Sequence, residues 1–225
     1  MGNIRQIRGF RGITDPFFAQ TLFYAPFNGS SVALTGQSIN TTVGAPVFSG
    51  VAPLAFGDGS QSQYLDPNGG EIWYNWTSGA LYPTDFTIEA WGYLTAYGAS
   101  GKCIITTSTV SVLSCRIQVG PTGELDFTVG GGTVTSGAGA VTLNAWHHLA
   151  AVKIAGNLFG YVDGIRITGP SVFSNDPGTP ATIRVGDATS GLAQWVGKIG
   201  PCRVTAAARY SGASFPPITS LPTYP

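Results

Sequence analysis

Phe86-Thr87-Ile88-Glu89-Ala90-Trp91-Gly92-Tyr93-Leu94 is the stretch on which the fold turns. Successive side chains of an extended chain point to opposite sides, so Phe86, Ile88, Ala90, Gly92 and Leu94 share one face and Thr87, Glu89, Trp91 and Tyr93 the other. Both faces carry apolar groups, which places this strand inside a sheet. The same grammar repeats on either side. Trp146-His147-His148-Leu149-Ala150-Ala151-Val152-Lys153-Ile154 is a second long strand, turned back by Ala155-Gly156-Asn157 into residues 158–162. Asp163-Gly164 follows, the strongest hairpin signal in the chain, and leads into residues 165–167. Residues 103–109, 113–119 and 125–129 are further short runs, and residues 182–185 and 195–204 give the last strands. Towards the N-terminus, residues 22–27 form a β-like run closed by Asn28-Gly29-Ser30, with Pro26 marking an edge or strand end. Residues 130–139 read as a loop. Only residues 204–210 hint at a helical period. Many short strands separated by frequent turns predict an all-β sandwich or barrel.

Composition narrows the function classes. Hydrophobic residues are 43% of the 225 and charged residues only 10%, well below the usual quarter. The surface must therefore take its polarity from Ser, Thr, Asn and backbone, which suits a protein packed in an assembly. A core of this size needs no disulfides. Net charge is zero, so there is no broad electrostatic footprint for nucleic acid, and no apolar run is long enough for a membrane helix. Cys103, Cys115 and Cys202 contain no CxxC spacing, which argues against zinc. Cys103 and Cys115 flank a possible hairpin and either pair or stay as buried thiols. Met-Gly-Asn-Ile-Arg lacks the apolar core of a secretory signal, so synthesis in a cytoplasm is expected.

Three stretches resemble one family. Residues 86–91 resemble the "FTIEAW" strand of concanavalin A-like, laminin G-like domains. Trp146-His147-His148-Leu149-Ala150-Ala151-Val152 with Tyr161-Val162-Asp163-Gly164 resembles their "W-H-H-V-A…Y-V-D-G" hairpin. Residues 199–205 with Ala208-Arg209-Tyr210 and Phe215-Pro216-Pro217 resemble their last strand and tail, in the version found in tailed-phage virion proteins. The resemblance covers residues 20–220. It implies an all-β, concanavalin A-like jelly-roll sandwich of two antiparallel sheets over residues 21–225, preceded by a short N-terminal arm, residues 1–20. Arg209-Tyr210 is expected to clamp the C-terminal segment onto the sheet.

The arm is the expected attachment point. Arg5, Arg8, Phe10, Arg11, Phe17 and Phe18 combine positive charge with apolar bulk, and they would be satisfied either on a partner subunit or folded back on their own domain. Glycan binding needs aromatic faces beside amides or carboxylates. Glu71-Ile72-Trp73-Tyr74-Asn75-Trp76 is the best such cluster. Alternation sends Trp73 and Asn75 one way and Tyr74 and Trp76 the other, so one pair is core and the other is free to stack a sugar or a protein neighbour. Asp58, Asp66, Asn68 and Glu71 lie in a loop-rich span and are calcium candidates, with turn roles as the alternative; no other cofactor is expected.

Catalysis is not expected. Hydrolases of this fold carry E-x-D-x-E on one strand, and the nearest match, Glu124-Leu125-Asp126-Phe127-Thr128, has Thr where the third acid belongs. His147 and His148 are adjacent and face opposite ways, one expected packed and the other exposed. The expected function is a non-enzymatic phage virion structural protein, a capsid decoration protein anchored through its arm. Its expected partners are the major capsid protein and copies of itself, with no nucleic acid or membrane. The alternative is a carbohydrate-binding adhesion module for host surface glycans. The expected location is the virion, assembled from protein made in the host cytoplasm.

Overall fold

The computed structural model describes residues 15–27, 29–50, 55–56, 64–79, 81, 85–108, 113–130, 132–173, 178–188, 193–217 and 220–221. A single 3-10 turn, Phe18–Gln20, precedes the first strand. The strands in chain order are β1 (Thr21–Ala25), β2 (Ile39–Val43), β3 (Val47–Ser49), β4 (Ala55–Phe56), β5 (Tyr64–Asp66) and β6 (Glu71–Asn75). Then come β7 (Phe86–Leu94), β8 (Lys102–Ser108), β9 (Leu113–Val119), β10 (Leu125–Val129), β11 (Gly132–Thr135) and β12 (Trp146–Ile154). The last are β13 (Asn157–Val162), β14 (Ile165–Val172), β15 (Thr182–Val185), β16 (Gly197–Thr205) and β17 (Ser220–Leu221).

Two antiparallel sheets face each other. One runs β14-β13-β12-β7-β16-β5-β3, with β1 also paired to β16. The other runs β11-β10-β9-β8-β15-β6-β2. A small parallel pair, β4 with β17, stands apart. The quoted strand is central, as its two apolar faces imply: β7 is flanked by β12 and β16. Phe86, Ile88, Ala90 and Leu94 enter the core between the sheets, meeting Ile105, Ile117, Phe127, Ile183 and Tyr74 from the opposite sheet.

Three readings change. Residues 132–135 are strand, not loop: β11 completes a hairpin with β10, Thr128 opposite Thr133. Residues 204–210 contain no helix, because β16 continues to Thr205 and the chain then bends across the sheet. His147 and His148 are both buried. The Asp163 carboxylate reaches back from the hairpin turn and covers His147, Nδ1 to Oδ2 at 2.7 Å, while His148 sits under the C-terminal segment, 3.0 Å from Glu89. The cysteines are free thiols, Cys115 in the inter-sheet core and Cys103 in a small separate cluster with Ala188 and Ala193. Burial pushes the Cys115 thiol up to about 12.

The outer face of the larger sheet holds the first described residues and the segment that follows β16. Glu89 of β7 accepts from Arg203 Nε (2.6 Å) and Tyr210 OH (2.6 Å). Asp15 accepts from Arg203 and from both terminal nitrogens of Arg209 at 2.8–3.0 Å. Tyr210 stacks on Phe215 with ring centroids 3.5 Å apart. Arg209 and Tyr210 therefore do clamp the C-terminal segment, as expected. The same arginine lies over the Phe17 ring, 5.0 Å from its centroid. Residues 15–17 are thus folded back on their own domain, whereas Phe18 is exposed. Arg5, Arg8, Phe10 and Arg11 lie outside the described residues.

Asp163 (φ 50) and Gly164 (φ 77) take the paired left-handed conformations of a tight hairpin. A Cβ at Gly164 would also collide with the Phe215 carbonyl oxygen. Gly164→Ala is expected to cost roughly 1–3 kcal/mol, read as a lowered urea midpoint with an unchanged slope.

Candidate functional site

β6 decides the site by how it alternates. Ile72 and Tyr74 face the core; Tyr74 donates its hydroxyl to Ser31 O at 2.7 Å and meets Phe23 edge-on at 5.0 Å. Trp76 turns inward after the strand and donates Nε1 to Gly79 O at 3.0 Å. Tyr74 and Trp76 are therefore removed from the glycan cluster: their rings are core and their polar ends are spent on backbone. Trp73, Asn75 and Glu71 share the outer face of the seven-stranded sheet. Asn75 bridges to β2 through Asn40 (2.7 Å).

Strand register extends that face across the whole sheet. Trp73 lies opposite Thr41 on one side and Arg184 on the other. Arg184 is opposite Thr106, Thr106 opposite Arg116, Arg116 opposite Thr128, and Thr128 opposite Thr133. One rung of side chains thus crosses all seven strands. The Arg184 guanidinium stacks on the Trp73 ring, 3.7 Å from its centroid, a geometry that strengthens as water is excluded. Glu71 and the pair Gln118–Asp126 flank this rung.

The rung is rich in buried polar atoms without partners. Glu71 Oε2, Trp73 Nε1, Arg184 Nε, Arg116 Nε and Gln118 Oε1 are all inaccessible and lack a hydrogen bond of good geometry, although the Trp73 N–H is near enough to Glu71 to act on its charge. Glu71 itself is 1% exposed and Gln118 7%. Buried polar groups are nearly always satisfied, and each orphan costs about 1–3 kcal/mol. Three donors and two acceptors thus lie on one face, beneath its outer side chains.

Charge on this face is balanced. Burial raises the Glu71 pKa, the nearby Trp73 N–H lowers it, Asp187 raises it and Arg184 lowers it. Burial also raises Asp126; Thr135 lowers it, Glu124 raises it and Arg116 lowers it. The two carboxylates sit on β6 and β10, four strands apart, or about 19 Å at the usual strand spacing. Paired-carboxylate hydrolysis needs about 5–9.5 Å. Glu124 is engaged elsewhere: its Oε2 accepts the Thr122 hydroxyl (2.6 Å) and backbone N–H (2.9 Å) in a turn.

The calcium candidates are not assembled. Asp66 is on β5 of the larger sheet and Glu71 on β6 of the smaller one. Asp66 Oδ1 accepts the Asn68 N–H at 2.9 Å, the bond of a local turn. Asp58 lies outside the described residues. Among the described residues no three His, Cys, Asp or Glu side chains are grouped to hold a metal ion.

Sequence reasoning found Trp73, Asn75 and Glu71 but missed Arg184, Arg116 and Gln118. Their strands are far apart in the chain, and only the register joins them.

The family model described as the concanavalin A-like lectin/glucanases superfamily matches residues 68–211. No curated protein matches the chain. Among solved structures, the binding domain of botulinum neurotoxin DC in complex with SialylT is 14% identical with a TM-score of 0.57; 85% of this chain is covered, and 49% of that one. The binding domain of Paraclostridial Mosquitocidal Protein 1 is 12% identical with a TM-score of 0.61, covering 85% of this chain and 50% of that one. Domain 4 of a GH43 extracellular arabinanase from Geobacillus stearothermophilus, in complex with arabinotriose, is 16% identical with a TM-score of 0.56, covering 84% of this chain and 93% of that one. The chain thus spans about half the length of the toxin domains it resembles and nearly all of the arabinanase domain.

Proposed function

The chain belongs to the concanavalin A-like lectin/glucanase superfamily, and on that footing we propose that it is a non-catalytic carbohydrate-binding module. Glycan lies along Trp73, Arg184 and Arg116, above the buried Thr106. The observation that carries this reading is the outward-facing Trp73 stacked with Arg184, on a sheet face that also holds five buried polar atoms without hydrogen-bond partners. A saccharide offers hydroxyls that donate and accept at once, plus an apolar ring face for an indole. The likeness to a domain bound to arabinotriose supports the same reading.

An oligosaccharide array, with and without calcium, followed by calorimetry on the best binder tests it. Trp73→Ala and Arg184→Met are each expected to weaken binding at least tenfold, or about 1.4 kcal/mol. Binding to no glycan, or full affinity in both variants, would overturn it.

A second reading, a virion coat protein anchored by residues 1–20 and touching the major capsid protein, is favoured by an apolar band. Val32, Leu34, Ile39, Val43 and Val47 are all exposed, and β2 and β3 are the edge strands of their sheets. Apolar groups beside unpaired strand edges suit a protein partner. Copy number by mass spectrometry of purified particles decides it. Hundreds of copies, lost when residues 1–14 are removed and Asp15 keeps its ion pairs, are expected; full occupancy without them would defeat the anchoring idea.

A further inference from the structure

The outer face of the eight-stranded sheet carries a second constellation, beside the Glu89 network and far from the rung. Trp146 of β12 lies opposite Tyr93 of β7, ring centroids 5.8 Å apart, and 6.1 Å from Tyr64 of β5. All three rings are half-buried. Gly200 of β16 lets the tryptophans pack close against the strand: a Cβ there would come within 2.9 Å of Trp91 and 3.6 Å of the Trp146 ring. The Lys198 Nζ lies over both tyrosine rings, 4.7 Å from the Tyr64 centroid and 4.8 Å from that of Tyr93.

Lys198 also enters a cavity of about 420 Å³, whose wall includes Asp66, Asn68, Lys102 and Gln194. Two lysines and one carboxylate line it. Among the described residues neither lysine has a carboxylate within ion-pair distance. The one carboxylate is partly committed, since Asp66 Oδ1 already accepts the Asn68 N–H. Lys198 links the ring cluster to this cavity, whose lining adds amides and a second lysine; together they suit a ligand with an apolar face, hydroxyls and a negative charge.

We propose that this cavity and ring cluster form a second saccharide site, selective for a pyranose that bears a carboxylate. The sugar ring lies on Trp146. Its carboxylate takes Lys198 and Lys102, and its hydroxyls take Gln194, Asn68 and the free oxygen of Asp66. The site shares no residue with the rung, so each stands or falls alone.

The test is calorimetry on the full chain with glucuronic acid, glucose, and sodium acetate. Glucuronic acid is expected to bind at least tenfold tighter than either of the others, and more weakly as salt rises. Lys198→Met and Lys102→Met should each weaken glucuronic acid at least tenfold, Lys198→Arg should restore most of it, and Arg184→Met should leave it unchanged. Equal affinity for glucose and glucuronic acid would remove the charge selectivity. Equal affinity for acetate would reduce the site to a generic anion patch. Loss on Arg184→Met, or no glucuronic acid bound at all, would place no second site here.

Discussion

Glu89→Ala is expected to destabilise the domain by about 3–5 kcal/mol, the cost of breaking a buried ion pair from one side. In a domain of this size that lowers Tm on the order of 10 °C. Glu89 is 3% exposed. Its two oxygens hold Arg203, His148 and Tyr210, and Arg209 Nε lies 3.3 Å away. Asp15 and Glu89 together balance Arg203 and Arg209, so deleting one carboxylate strands a positive charge under the C-terminal segment. Glu89→Gln keeps the shape and removes only the charge, and should still lose most of the effect.

The pH dependence has a definite sign. Burial raises the Glu89 pKa, but Arg203, then His148 and Arg209, outweigh it and hold the carboxyl well below the usual range. A group depressed in the folded state contributes stability that is complete above its unfolded value, about 4.3, and is lost as pH falls through the folded value. The stability gap between the native chain and Glu89→Gln should therefore be constant from neutral pH to about 5 and close progressively below about 4. Urea titrations of both chains across that range measure it. A gap that widens towards acid would contradict the ion-pair account.

Trp195→Ala is the other large effect, again about 3–5 kcal/mol. The indole is 1% exposed in the inter-sheet core. It occupies room left by Gly92, where a Cβ would sit 2.6 Å from the ring, and its N–H donates to Lys198 O at 3.1 Å. Gly92→Ala alone should cost roughly 1–3 kcal/mol by overpacking. Combined with Trp195→Ala, part of that second cost should vanish, since one of two clash partners is gone and the Ile104 methyl at 2.7 Å remains; chemical denaturation of the four chains gives the coupling directly. Additive losses would mean that the two residues do not share this space. The effect also reaches function. Residues 195–198 form one wall of the 420 Å³ cavity, so Trp195→Ala is expected to weaken glucuronic acid along with the fold.

Much of the sandwich was legible along the chain because its signals are local. Alternation in residues 86–94 places that strand in the middle of a sheet, and the structure sets it between β12 and β16. Asp163-Gly164 announces its hairpin because few residue pairs accept two positive φ angles. Residues 132–135 were misread because an edge strand of Gly and Thr carries no apolar alternation, and pairing with β10 alone makes it strand.

The candidate site was half legible. Alternation required Trp73 with Asn75, or Tyr74 with Trp76, to face outward, but an isolated strand cannot say which. Tertiary structure chose, because the Tyr74 ring meets Phe23 and its hydroxyl finds Ser31 inside the sandwich. The partners of Trp73 were beyond local reading altogether. Arg184 and Arg116 join it only through the register of β15, β8 and β9, just as Tyr64, Tyr93, Trp146 and Lys198 meet only through β5, β7, β12 and β16. The sequence by itself determined that there would be strands, which faces they would have and where several would turn. Which faces meet, and hence which polar atoms are left without partners, was decided by strand register, a long-range property that a period of two does not encode.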